Sequence, residues 1–163
     1  MKPIMLVLTA SLLFSACTQA DDQEIGLNVS TQHDDFFYTA QSVSIQDSIG
    51  SMKPKGRFWI VTFRVDNQAK RVQHEWTNRT AFVTDASGQV YENQTNDQQL
   101  LNQRQPFGWK QAYVTPARRT DSTRLVFDLP ATLQQSYLHY RGAFLMGDAF
   151  DRKQFEHTRV RLF

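Results

Sequence analysis

The chain has 163 residues, 20 of them aromatic, and a formal net charge of +2. That length suits one domain with a sizeable core. A single cysteine excludes an internal disulfide, and the absence of any Lys/Arg run longer than two residues argues against nucleic acid as a partner.

The chain opens as an export signal. Lys2 supplies a short positive region, and Ile4 to Ala16 is an apolar run broken only by Thr9, Ser11 and Ser15. Its thirteen residues fit a secretory signal and fall short of the roughly 20 that a spanning helix needs. Leu13-Phe14-Ser15-Ala16-Cys17 resembles the bacterial lipobox. The resemblance implies a signal peptide over 1–16, a diacylglycerol on the Cys17 thiol, cleavage before Cys17 and acylation of the freed amine. The alternative is ordinary cleavage after Ala20. Cys17 is the only cysteine, and an unpaired thiol is a liability in an oxidising compartment, which favours lipidation. Two or three acyl chains hold stably where one holds marginally. Thr18, rather than aspartate, after the cysteine implies sorting to the outer membrane, facing the periplasm.

Residues 17–35 read as the lipidated N-terminus and an acidic tether. Asp21, Asp22, Glu24, Asp34 and Asp35 stand there without a Lys or Arg. Such a segment buries too little to offset its ordering entropy. As a flexible coil it would reach on the order of 25 Å. Residues 36–163 then form the domain, with 17 Lys plus Arg against 11 Asp plus Glu, or +6. That excess would draw the domain to an anionic surface or polymer.

Within the domain the periodicity is that of strands. A first strand is expected over about Thr39 to Gln46. The clearest runs from Arg57 to Asn67, where Trp59, Val61, Phe63 and Val65 share one face and Thr62, Arg64 and Asp66 the other. A hairpin follows over 80–91, with Gly88 supplying positive φ at its turn. Residues 93–107 are Gln/Asn-rich and read as a long loop with one helical turn. Strands are expected at Gly108 to Thr115, Ser122 to Leu129, Tyr137 to Leu145 and about Glu156 to Phe163, the first two stopped by Pro116 and Pro130. A turn falls at Gly147-Asp148. The pattern predicts an all-β, immunoglobulin-like antiparallel β-sandwich of seven to eight strands without a convincing helix.

Three motifs in this order resemble the telokin-like, immunoglobulin-type domain of unknown function, family 4352, of exported bacterial proteins. They are the Gly56 to Asn67 strand, the Asp85-Ala86-Ser87-Gly88-Gln89-Val90-Tyr91 hairpin, and Thr115-Pro116 followed by Phe127-Asp128-Leu129-Pro130. Ala117 stands where the family usually has glycine. The resemblance spans about 39–130 and implies a lipid-anchored or exported binding domain with no catalytic residues to carry over.

Chemistry is sparse. The histidines are His33, His74, His139 and His157, no two within eight residues, which is not a zinc pattern. No nucleophile elbow, zinc-protease helix or phosphate loop occurs. Asp66, Glu75, Asp85 and Glu92 read as turn formers and solvated charges, and Asp148 with Asp151 could favour a cation only with three or more further oxygen ligands. Trp76 and Trp109 lie among polar residues, which suits partner-binding anchors or caps on the core. The expectation is therefore a non-enzymatic binding or adaptor module without a cofactor or metal. It would be membrane-held through Cys17 and bind a protein or envelope polymer. A small envelope hydrolase, or a structural component binding anionic lipid or polysaccharide, are the alternatives.

Overall fold

The computed structural model describes residues 23–107, 114–141 and 155–163. The expected signal peptide, Cys17, Trp109, most of the expected strand from Gly108, the last part of that expected over Tyr137 to Leu145, the turn at Gly147-Asp148 and the Asp148/Asp151 pair lie outside them. Among the described residues there are eleven strands and one α-helix. They are β1 (Gln23–Ile25), β2 (Ser30–His33), β3 (Phe36–Gln46), β4 (Arg57–Asn67), β5 (His74–Glu75), β6 (Ala81–Asp85), β7 (Val90–Glu92), α1 (Thr95–Arg104), β8 (Val114–Thr115), β9 (Arg119–Leu129), β10 (Ser136–Tyr140) and β11 (Thr158–Arg161).

Two sheets carry the fold. One runs β2-β3-β4-β9 and the other β1-β11-β10-β6-β7, while β5 and β8 form a separate two-stranded pair. Pairing is antiparallel except between β1 and β11. The alternation in β4 decides what faces inward. Trp59, Val61, Phe63 and Val65 meet Tyr38 of β3 and Leu125, Phe127 and Leu129 of β9 on the inner face. Val83, Leu138, Tyr140 and Val160 supply the opposing layer. The β-sandwich expected from the sequence is the fold observed.

The outer face of β4 is not wholly wet. Phe58 and Ile60 point away from the main core and join Ile49, Val126 and Leu101 in a second cluster beneath α1. The stretch read as a loop thus holds a ten-residue helix. Only Gln98 and Leu101 of it are buried. Gln98 replaces a strand partner at the free edge of β9: its carboxamide accepts from the Val126 N–H at 3.1 Å and donates to the Arg124 carbonyl at 2.8 Å. Asn93 adds a donor to the Val126 carbonyl at 2.9 Å. An edge that would otherwise template another chain is thereby covered.

The boundary between tether and domain also moves. Residues 23–33 hold β1 and β2, and His33 is buried. The acidic composition hid two short strands whose backbones pair with β11 and β3. Described strands begin at residue 23 rather than 36, and the sequence from 23 onward carries 17 Lys plus Arg against 14 Asp plus Glu, or +3 instead of +6.

Asn67 closes β4. Its buried carboxamide donates to the carbonyls of Val72 at 2.8 Å and Thr115 at 2.9 Å and accepts from the Ala69 N–H at 2.9 Å. Gly56 opens the same strand, and a Cβ there would stand 2.0 Å from the Leu129 carbonyl oxygen. Asn67→Ala strands three backbone groups, two of them in buried hydrogen bonds, so thermal or urea unfolding is expected to show a loss of about 2–4 kcal/mol. Gln68→Ala, exposed next door, should stay within about 0.5 kcal/mol of the parent.

Candidate functional site

Three regions bring chemistry-bearing side chains together. The first is the outer face of the five-stranded sheet. The strand register places His139 between Phe82 and Arg159, and Tyr137 between Thr84 and Arg161. Rings and guanidinium groups then stack. Phe82 lies on His139 with centroids 5.0 Å apart, Arg141 sits 4.2 Å over Phe82, and Arg159 sits 4.4 Å over Tyr137. His139 Nε2 and the Thr84 hydroxyl are hydrogen-bonded at 2.8 Å. Two glutamates sit at the margins. Glu92 takes both terminal nitrogens of Arg141 at 2.8 and 2.6 Å, and Glu24 lies 3.5 Å from Arg159 and 3.4 Å from Arg161. The Arg141 hydrogen bonds hold Glu92 below the usual carboxylate range. The three arginine side chains are a third to a half exposed. The result is a row of stacked aromatic and basic side chains in which Tyr137 is buried beneath Arg159 and Phe82 and His139 are half-buried.

The second region is buried. Tyr38 of β3 and His74 of β5 are hydrogen-bonded at 2.6 Å, and His74 stacks on Phe36 with centroids 3.9 Å apart. His33 stacks on Phe155 at 4.5 Å, and Phe155 packs against Tyr38 and Tyr140. Burial, and then the neighbouring His33, lower the His74 pKa to about 4. Burial pushes the Tyr38 hydroxyl upward. Trp76 belongs here too. It is buried, packs edge-on against Phe63 at 5.6 Å and donates its indole N–H to the Thr115 hydroxyl at 2.9 Å. Its reading as a partner anchor is corrected: β5 folds the polar connection back against β8 and turns the ring into the core. Truncating Trp76 would open a cavity costing about 3–5 kcal/mol, so that substitution reports packing.

The third region is an open groove of about 660 Å³ bordered by Lys53, Lys55, Tyr91, Glu92, Asp97 and Asp128. Burial first, and Asp128 second, raise the Asp97 pKa. This comes nearest to the paired carboxylates of a hydrolase. Asp128, however, is occupied: its two oxygens accept from the Lys55 and Gly56 N–H groups at 2.7 and 2.9 Å. Glu92 is held by Arg141. Asp85, another carboxylate singled out from sequence, accepts from the Ser87 hydroxyl at 2.6 Å, the Ser87 and Gln89 N–H groups, and the Tyr91 hydroxyl at 3.1 Å. Those bonds, the Ser87 hydroxyl foremost, lower its pKa and give the Asp-to-Tyr hairpin motif its physical sense. Asp66 pairs with Arg64 at 2.6 Å. Among the described residues no three His, Cys, Asp or Glu side chains are grouped to hold a metal ion.

No family model matches the sequence, and no curated protein matches it either. Solved structures do. The yjhA protein of Bacillus subtilis superposes with a TM-score of 0.57 at 10% identity, over 85% of this chain and 98% of that one. A β-sandwich protein from Clostridium difficile gives 0.52 at 11% identity, over 88% and 95%. The candidate lipoprotein ycdA of Bacillus subtilis gives 0.51 at 12% identity, over 68% of this chain and 32% of its own length. These likenesses establish the fold. At such identities they carry nothing about activity.

The outer-face arginines and rings were not legible in sequence as a site, because β6, β10 and β11 bring them from three distant segments. The one signal was alternation: Phe82 with Thr84, Tyr137 with His139, and Arg159 with Arg161 recur at period two.

The buried His74 makes the fold acid-sensitive, with a definite sign. It stays neutral in the folded chain down to about pH 4, whereas in the unfolded chain it protonates near pH 6.5. The unfolded state therefore binds more protons between those values, and stability is lost as pH falls through that window. Chemical denaturation of the parent should weaken between pH 7 and 4.5, and His74→Gln should flatten that dependence while lowering stability at pH 7.

Proposed function

We propose that this is an exported protein, lipid-anchored at Cys17, whose sandwich is a non-catalytic binding module of the cell envelope. It presents the outer face of its five-stranded sheet to a partner protein. The observation that carries the reading is the row of stacked rings and guanidinium groups formed by Phe82, Tyr137, His139, Arg141 and Arg159. Tyrosine and arginine dominate the energetic centres of protein interfaces, and side chains already held by their neighbours lose little entropy on binding. A row of stacked rings and guanidinium groups suits a protein surface better than a small substrate.

The anchor reading is supported by the lipobox-like run ending in Cys17 and by the structural likeness to a candidate lipoprotein. Placement in the outer membrane, facing the periplasm, rests on Thr18. Kinship with the telokin-like family 4352 is supported by the roles of its motif residues: Asn67 closes β4, Asp85 organises the hairpin, and Gly88 adopts φ +85°. A non-catalytic role agrees with the engagement of Asp85, Glu92 and Asp128 in structural bonds.

A photo-cross-linking side chain placed at Thr84 or Arg161 in the anchored protein should capture one partner protein in near-stoichiometric yield. The same group at Thr62, on the outer face of the other sheet, should not. Phe82→Ala combined with Arg159→Ala should cut the yield at least tenfold. Equal capture from both faces, or none, would remove this face as the docking surface.

A further inference from the structure

The position at which the chain enters the sandwich has a consequence for its opposite partner, the membrane. β1 begins at Gln23, whose N–H donates to the His157 carbonyl at 2.8 Å and which pairs with Thr158. Six residue steps separate Gln23 from Cys17, a span of no more than about 22 Å at full extension. Whatever attaches at Cys17 therefore lies close to this end of the sandwich. The β2–β3 turn, the loop after β4 and the turn before β9 share one end of the four-stranded sheet, since Asn67 pairs with Phe36 and with Arg119, and that end meets Gln23 where His33 stacks on Phe155 and Gln23 borders Gln32 and Phe37.

Two of these connections are basic. The loop after β4 carries Lys70, Arg71 and Val72, and the turn before β9 carries Arg118 and Arg119, all exposed. Asn67 binds them to one another by donating to the Val72 and Thr115 carbonyls. Val72 is 61% exposed beside two cations, an arrangement suited to the headgroup layer, where apolar tips bury and cations meet phosphates. Arg118 adds an independent mark. The turn closes through the Arg119 N–H to the Pro116 carbonyl at 3.1 Å, and Arg118 holds its second central position at φ +59°, which favours glycine. The chain keeps an arginine where the backbone would prefer no side chain. Acidic residues also stand at this end, Asp34 and Asp35 in the β2–β3 turn, Glu75 on β5 and Glu156 before β11, while Arg64 is paired with Asp66. The four cations are set together on the β4–β9 side, where Asn67 pairs with Arg119. At the far end Arg57 is paired with Asp47, and the exposed Lys53 and Lys55 border the groove that Glu92, Asp97 and Asp128 line.

We propose that this end of the sandwich rests on an anionic lipid surface through Lys70, Arg71, Val72, Arg118 and Arg119. The contact deepens the anchor reading, since it would fix the domain's orientation and turn the outer face of the five-stranded sheet sideways, parallel to the membrane normal. It does not require the acyl chains.

The test uses residues 18–163, which keep every described strand and lack Cys17, sedimented with vesicles of phosphatidylcholine alone or with 30% phosphatidylglycerol. Binding is expected only to the mixed vesicles and should be lost in 0.5 M salt, where the screening length falls to a few ångströms. Lys70→Ala with Arg71→Ala should weaken it about fivefold per charge. Arg118→Gly should weaken it by a similar factor while raising the unfolding temperature, so lost binding is separated from lost folding. Lys53→Ala with Lys55→Ala, at the other end, should leave it unchanged. Equal binding to both vesicles, no binding, or loss on the Lys53/Lys55 variant would overturn the proposal. The anchor is read separately, from the mass of the mature N-terminus. An acylated Cys17 without vesicle binding would remove this surface alone, and vesicle binding with an unmodified N-terminus would remove the anchor alone.

Discussion

The Asn67 carboxamide is the interaction on which the rest of one end of this sandwich depends. With a single cysteine, the chain cannot staple its sheets by a disulfide. One buried side chain instead satisfies three backbone groups, on Ala69, Val72 and Thr115. Fixing Thr115 positions β8, which pairs with β5 and sets His74 against Tyr38 and Trp76 into the core. The same bonds bring the Lys70-Arg71 loop beside the Arg118-Arg119 turn. A packing requirement and a surface property therefore share one cause.

The other constraint is the free edge of β9. A long, regular edge strand invites pairing with other chains. Here α1 buries little apolar surface, and Gln98 supplies what a neighbouring strand would, an acceptor for Val126 N–H and a donor to Arg124 C=O. With that edge covered and Phe58 and Ile60 of β4 buried beneath α1, the row of stacked rings lies on the outer face of the opposite sheet. Its rings are held by arginines, and those by Glu24 and Glu92.

Much of the fold was legible, for reasons particular residues make plain. The limits of β4 follow from Gly56 and Asn67, its inner face from Trp59, Val61, Phe63 and Val65 at period two, and the hairpin from Asp85 and Gly88. β1 and β2 were missed because Gln-Glu-Ile and Ser-Thr-Gln-His are short and polar, and their pairing comes from backbone groups that composition does not reveal. α1 was missed because Gln and Asn dominate it and its one deeply buried apolar residue is Leu101. Phe58 and Ile60 gave the only hint that something covers the outer face of β4. Trp76 misled because a ring among polar neighbours in sequence is carried inward by a two-residue strand whose partner lies far along the chain. The outer face was hidden for a related reason, its residues being distant until the strands pair.

The proposal that joins these features is a domain held by its N-terminus, with the Lys70-Arg71 and Arg118-Arg119 connections toward the attachment point. Intact-mass spectrometry of the mature protein, isolated from the membranes of cells that make it, tests that account most directly. The account predicts an N-terminus at Cys17 carrying the added mass of a diacylglycerol and an amide-linked acyl chain. A soluble chain beginning at Asp21, unmodified after cleavage behind Ala20, would contradict it.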